Sequence, residues 1–135
     1  MLDFSNEIYT AFANAVRAAH TGIKTSSEYV RSPAQFPFSS CDEIENTDIQ
    51  NLNDSSKAEN FARLIYRVQV FSNKKSGKNA EARAIFATAD AVMKGLGFIR
   101  KTYTTTPDIY ESTIYQITAT YEAVINKDGV IYGRE

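Results

Sequence analysis

The chain has 135 residues, 43% of them hydrophobic and 23% charged, and a formal net charge of −1. That length supports one domain with a two-layer core, and the composition is too apolar for a disordered tail. A charge so close to zero argues against a protein whose main task is gripping nucleic-acid phosphates.

The start, Met1-Leu2-Asp3-Phe4, runs directly into helix-like sequence without a basic region followed by an apolar one. No run approaches the roughly twenty apolar residues that span a bilayer, so the expectation is a reducing, aqueous compartment and no membrane. The first helix is expected from about Asp3 to Ala19. Phe4, Ile8, Ala11, Phe12, Ala15, Val16 and Ala19 share its apolar face, and Asp3 is its expected N-cap. Thr21-Gly22 ends it, with Arg17 and His20 near the negative C-terminal end. His20 is the single histidine, and no carboxylate or cysteine pair is spaced around it for tetrahedral ligation. It reads as a satisfied helix-end residue.

Ile23 to Val30 is expected as a short polar strand at a sheet edge. The connector Arg31 to Pro37 is fixed by two prolines. Phe38 to Ile44 is the next expected strand. It contains the lone cysteine, Cys41, which excludes an internal disulfide and reads as a small, partly buried filler. The acids Asp42, Glu43 and Glu45 could in principle hold a divalent ion, but strand alternation leaves only Glu43 and Glu45 on one side. The spacing favours no metal and no cofactor.

From Glu45 to Glu59 the chain turns polar, with Ile49 and Leu52 its apolar residues. This stretch reads as a loop or arm that orders against a partner. Leu64, Tyr66, Val68 and Val70 then alternate with Arg63, Arg67 and Gln69, the period of a strand with one side buried. The basic break Ser72 to Lys78 carries Lys74, Lys75 and Lys78. Its Ser76-Gly77-Lys78 lacks the glycine spacing of a phosphate loop. Ala82, Ile85, Phe86, Ala89, Val92, Met93 and Leu96 follow at helical spacing, and Gly97 stops that helix.

Phe98 to Thr105 is the next strand, Thr106-Pro107-Asp108 a turn, and Thr113 to Ile125 the clearest strand of all. Its polar side carries Gln116, Thr118, Thr120 and Glu122, a face that is either solvated or meets another subunit. Asn126 to Gly129 turns, and Val130 to Glu135 is a short tail. The expected class is α+β, in the order α-β-β-β-α-β-β, with two helices packed on one face of a largely antiparallel sheet.

The run from Tyr66 through Phe71-Ser72-Asn73-Lys74-Lys75 to Lys78, the helix closing on Gly97-Phe98, and Ile114 to Ala123 resemble a known family. That family is the small tail-terminator, or tail-completion, proteins of long-tailed bacteriophages and prophages, often described as minor capsid or head–tail joining proteins. The resemblance covers most of the chain, from the first helix to about Lys127. It implies a non-enzymatic subunit, made in the bacterial host cytoplasm, that forms a ring in the virion. Such rings are commonly hexamers. They cap the tail tube protein, meet the head connector protein and let DNA pass without specific binding. The interface residues expected on this reading are Ile49, Leu52, Arg63, Arg67, Lys74, Lys75, Gln116, Thr118 and Thr120. The alternative is a small nucleic-acid-binding accessory protein using Arg63, Arg67, Lys74, Lys75 and Lys78.

Overall fold

The computed structural model describes residues 3–29, 33, 35–49, 61–107 and 114–132. Two helices, α1 (Ser5–Ala19) and α2 (Lys78–Gly95), lie against a six-stranded sheet. The strands are β1 (Lys24–Ser26), β2 (Phe38–Asp48), β3 (Phe61–Ser72), β4 (Ile99–Pro107), β5 (Tyr115–Asn126) and β6 (Ile131–Tyr132). Their spatial order is β1-β2-β3-β5-β4, with β6 pairing the end of β5 beyond β4. Every pairing is antiparallel except that of β1 with β2. This is the expected α+β class, with one short strand added in what the sequence suggested was a tail.

The topology follows from two connections. The β3–α2–β4 crossover carries the chain over the sheet and leaves a strand-wide gap, which β5 fills antiparallel to both neighbours. Helix α2 presents Ala82, Ile85, Phe86, Ala89 and Met93, all buried, as the predicted stripe. Beneath the helices lie Leu64, Tyr66, Val68 and Val70 of β3 and Ile117, Ala119, Tyr121, Ala123 and Ile125 of β5. Helix α1 contributes Ile8, Phe12, Ala13 and Val16. Ala13 replaces the expected Ala19, which is exposed. Phe12 is fully buried, and its replacement by Ala should cost about 3–5 kcal/mol in a denaturant titration.

Several boundaries differ from the sequence reading, each for a local reason. Phe4, and not Asp3, holds the N-cap position of α1; the Asp3 carboxylate instead accepts hydrogen bonds from the Ser5 backbone N–H and hydroxyl. β1 is three residues long, and it is an edge strand as expected. β2 continues four residues past Ile44 because β3 supplies a full ladder for Glu45, Asn46, Thr47 and Asp48. Ile49 extends it, its N–H donating to the Phe61 carbonyl. The expected arm of 45–59 is therefore strand over its first residues, and its remainder, Leu52 included, lies outside the described residues. Cys41 is fully buried rather than partly so.

A β-bulge at Ile44 overturns the expected parity of the acids. Glu43 stands opposite Tyr66 on the helix side, whereas Glu45 stands opposite Ile65 on the other side, with Asp42. The extra residue shifts the alternation by one. Among the described residues, no helix is long and apolar enough to cross a membrane.

Candidate assembly interface

Both helices pack on one side of the sheet, and no described helix covers the other side. Its residues follow from the register: Ser40, Asp42, Glu45 and Thr47 of β2, Arg63, Ile65, Arg67 and Gln69 of β3, Gln116, Thr118, Thr120 and Glu122 of β5, and Thr102 and Thr104 of β4. One end of this face is closed by a small apolar cluster of Phe38, Phe71 and Ile114, with Phe36 packed on it. Phe38 and Phe71 meet as a tilted aromatic pair at 6.0 Å.

The rest of the face is organised by charge. Glu45, Arg63, Glu122 and Lys101 form an alternating row across four strands: Arg63 pairs with Glu45 and reaches Glu122 at 3.7 Å, and Lys101 reaches Glu122 from the far side at 3.9 Å. A second pair lies beside it, Arg67 binding Asp42 through two nitrogens at 3.2 and 2.6 Å. Tyr29 lies over the Arg67 guanidinium at 4.3 Å, itself half exposed. Such fork-to-carboxylate pairing holds the guanidinium in one plane. Toward β4 the charges give way to hydroxyls: Thr102 and Thr120 share a hydrogen bond of 2.7 Å, Thr104 donates to the Thr118 carbonyl, and Gln116 donates to the Thr118 hydroxyl.

Five of the expected interface residues thus come together on this face: Arg63, Arg67, Gln116, Thr118 and Thr120. Lys74 and Lys75 do not join them. They sit exposed in the loop after β3, while Ile49 lies beyond its first residue, at the opposite end of a strand roughly 36 Å long.

β4 ends the sheet, and no described strand pairs with its outer edge. Lys101 to Thr105 are all exposed along it. A free edge of nine residues presents backbone donors and acceptors to any extended segment that approaches. Its threonine and tyrosine content favours strand pairing. A bulge between Arg100 and Thr102, the exposed Lys101 within it and the terminal Pro107 blunt part of this edge and leave Thr102 to Thr105 between them.

Composition alone did not reveal a cleft of about 300 Å³ on the helix side, between the first turns of α1 and strands β2 and β3. Ser5, Asn6 and Tyr9 line one wall, Ser27 the rim, and Cys41, Glu43 and Tyr66 the floor. Tyr66 is almost wholly buried, and its hydroxyl donates to Glu43 across 3.4 Å. Burial, with the nearby Asp3 charge, raises the Glu43 carboxyl above its ordinary value. Burial also raises the Tyr66 hydroxyl and the Cys41 thiol, which makes the thiol a poor nucleophile at neutral pH. The cleft draws on three elements and the bend after β1, so no local motif announced it.

No known family model matches the chain, and neither does any curated protein.

The cations of the helix-side loop and of the opposite sheet face differ in what they offer nucleic acid. Arg63 and Arg67 are already held by carboxylates, so phosphate would have to compete with Glu45, Glu122 and Asp42. Exposed Lys74 and Lys75 remain, worth on the order of 1 kcal/mol each near a phosphate surface at low salt. In a filter-binding or anisotropy titration the chain should show no duplex binding at ~150 mM salt and weak, salt-sensitive binding below it. Lys74→Ala with Lys75→Ala and Lys78→Ala should remove that remainder. Micromolar, sequence-selective binding at ~150 mM salt would favour the nucleic-acid reading instead.

Proposed function

We propose that this chain is a structural assembly subunit of the tail-terminator or head–tail joining type. On this reading copies of it form a ring in the virion of a long-tailed bacteriophage, cap the tail tube protein and meet the head connector protein. The observation that carries the reading is the edge of β4, paired by no described strand, exposed over five consecutive residues and bordered by a face that no described helix covers. Natural proteins that work alone blunt or cover such an edge, and here the bulge and the proline stop short of Thr102 to Thr105, an exposed stretch that favours a chain completing itself by association.

The neighbouring face supports the same reading. It mixes arginine, tyrosine and hydroxyl groups with paired acids, a polarity typical of non-obligate interfaces. Its cations and anions neutralise each other within the subunit. A subunit with those pairs intact and a net charge of −1 has little means to hold DNA that passes it.

Native mass spectrometry and sedimentation of the purified chain should show a ring-sized oligomer, or a monomer that becomes one on adding tail tube protein. A chain that stays monomeric at high concentration and also ignores tail tube protein would sink the reading.

A further inference from the structure

Strand β4 turns a definite set of backbone groups away from its own sheet, and the hydrogen bonds of its neighbours fix which. The Phe61 carbonyl accepts from Ile49 and the Gln69 carbonyl from the Ser39 hydroxyl, so the backbone groups of the odd-numbered residues of β3 point toward β2. Backbone direction alternates along an antiparallel ladder, so those of Val68 and Val70 point toward β5, opposite Ala119 and Ile117. Thr118 and Thr120 then point toward β4, opposite Thr104 and Thr102, and the Thr118 carbonyl accepts the Thr104 hydroxyl at 3.2 Å. Tyr103 and Thr105 are left with N–H and C=O directed outward, where no described strand meets them. Pro107 has the same parity and no N–H to offer.

These outward groups complement themselves. In an antiparallel pair of two copies about a two-fold axis at Thr104, Tyr103 of each copy stands opposite Thr105 of the other. Each such pair exchanges both of its hydrogen bonds, and no outward group between the bulge and Pro107 is left over. An axis at Tyr103 would set Thr105 against the bulged Lys101, and an axis at Thr105 would set Tyr103 against Pro107, which cannot donate. Charge favours the same arrangement. The Lys101 side chains of the two copies fall six positions apart, roughly 20 Å at about 3.3 Å per residue, whereas a parallel pair would set like charges side by side. The opposite edge of the sheet offers far less. Lys24 donates to the Pro37 carbonyl, so in three-residue β1 only Thr25 points outward, and its hydroxyl is held by Tyr9 and Arg17.

We infer that two copies of this chain join through their β4 edges, antiparallel and in the register that sets Thr104 against Thr104, so that the two sheets run on as one. Tyr103, 42% exposed and packed edge to face on Phe86, is an aromatic anchor that the pairing covers. Threonines facing each other across the strands add to the contact on the face that no described helix covers. The contact uses one surface twice, so it closes at two copies, and a ring assembled from such pairs requires a second contact. The inference rests on the assembly reading for its premise that another chain covers the β4 edge, and it names that chain and its register.

Cysteine cross-linking of the full chain reads the register. At the centre of the pair the two Thr104 residues form a pair without mutual backbone hydrogen bonds, with Cα atoms about 4.5 Å apart and within disulfide range. Thr104→Cys should therefore give a covalent dimer on mild oxidation, seen on gels run without reductant. Thr102→Cys, on the same face, should not, because its copy lies four positions along the partner strand. Cys41 is fully buried and stays out of the reaction. Thr105→Pro removes an outward donor where an edge strand tolerates proline. That variant should fold, by far-UV circular dichroism, yet self-associate at least about tenfold more weakly in sedimentation. If Thr104→Cys gives no dimer, Thr102→Cys cross-links as readily, or folded Thr105→Pro associates as well as the unaltered chain, the edge pairing is wrong; rings formed with tail tube protein would still keep the assembly reading. If the covalent dimer forms as expected and no ring-sized species appears, alone or on tail tube protein, the edge pairing stands and the assembly reading falls. A chain that stays monomeric under every condition overturns both.

Discussion

Replacing Gly97 by alanine should lower stability by about 3 kcal/mol and the melting temperature by about 10 °C. Gly97 closes α2 with a left-handed φ of 106°. Its N–H donates to the Lys94 carbonyl and the next N–H, of Phe98, donates to Met93, so the last helical carbonyls are satisfied in a Schellman arrangement. A side chain there meets two penalties. The left-handed backbone costs an L-residue about 1–2 kcal/mol. A Cβ would also stand 2.9 Å from the Ile131 carbonyl oxygen and 3.1 Å from its Cγ2, so β6 would have to move away from the end of β5. Gly95, two residues earlier, is the internal control: it is helical, a Cβ there meets open space, and Gly95→Ala should stabilise by up to about 1 kcal/mol. Thermal unfolding of both variants by circular dichroism decides the matter. A Gly97→Ala chain that melts with the unaltered one would mean the helix end is not packed as described.

The elements whose hydrophobic period was long and regular were legible from the residues themselves. Leu64 to Val70 and Tyr115 to Ile125 alternate, and burial follows except at Gln69 and Glu122, which are buried on the polar side. The α2 stripe and its glycine stop were equally plain. What stayed hidden depended on partners distant in sequence. Asn46 and Asp48 have little strand preference of their own, yet they belong to β2 because Leu64 and Ala62 stand ready opposite them. The bulge at Ile44 carries no glycine or proline to announce it, and it moves Glu45 across the sheet to meet Arg63. Phe71 shares its side of β3 with arginines and glutamine, so alternation gave no hint that it is fully buried; Phe38 and Ile114 arrive from β2 and from the approach to β5 to cover it. The same limit applies to the candidate site. Arg63, Arg67, Gln116, Thr118 and Thr120 could be grouped because parity places them on one face. The cleft could not, since Ser5, Ser27, Glu43 and Tyr66 share no spacing rule and meet through tertiary folding.

Asp90 should carry the second large effect, and a pH dependence identifies it. Its carboxylate joins three elements: it accepts the Tyr121 hydroxyl at 2.6 Å from β5, pairs with Arg100 of β4 at 3.1 Å, and pairs with Lys94 one turn along α2 at 3.2 Å. Arg100 also lies near the rings of Phe86 and Tyr103, which pack edge to face at 5.0 Å. Asp90→Ala would strand the hydroxyl of Tyr121, a fully buried residue, and leave two cations without their acid; the expected loss is about 2–4 kcal/mol in a denaturant titration. Partial burial works to raise the Asp90 carboxyl, but the hydrogen bonds from Tyr121 and Lys94 and the Arg100 and Lys94 charges prevail, and its pKa lies below the ordinary 3.8. A carboxyl depressed in the folded state contributes stability that is complete above its unfolded value and is lost as pH falls through its folded value. Asp90→Asn keeps the shape and an acceptor for Tyr121 while removing the titration. The stability gap between the unaltered chain and Asp90→Asn should therefore be constant from about pH 7 to about pH 5 and should close progressively below about pH 4. A gap that stays open at about pH 2 would show that the charge of Asp90 does not hold α2 to the sheet.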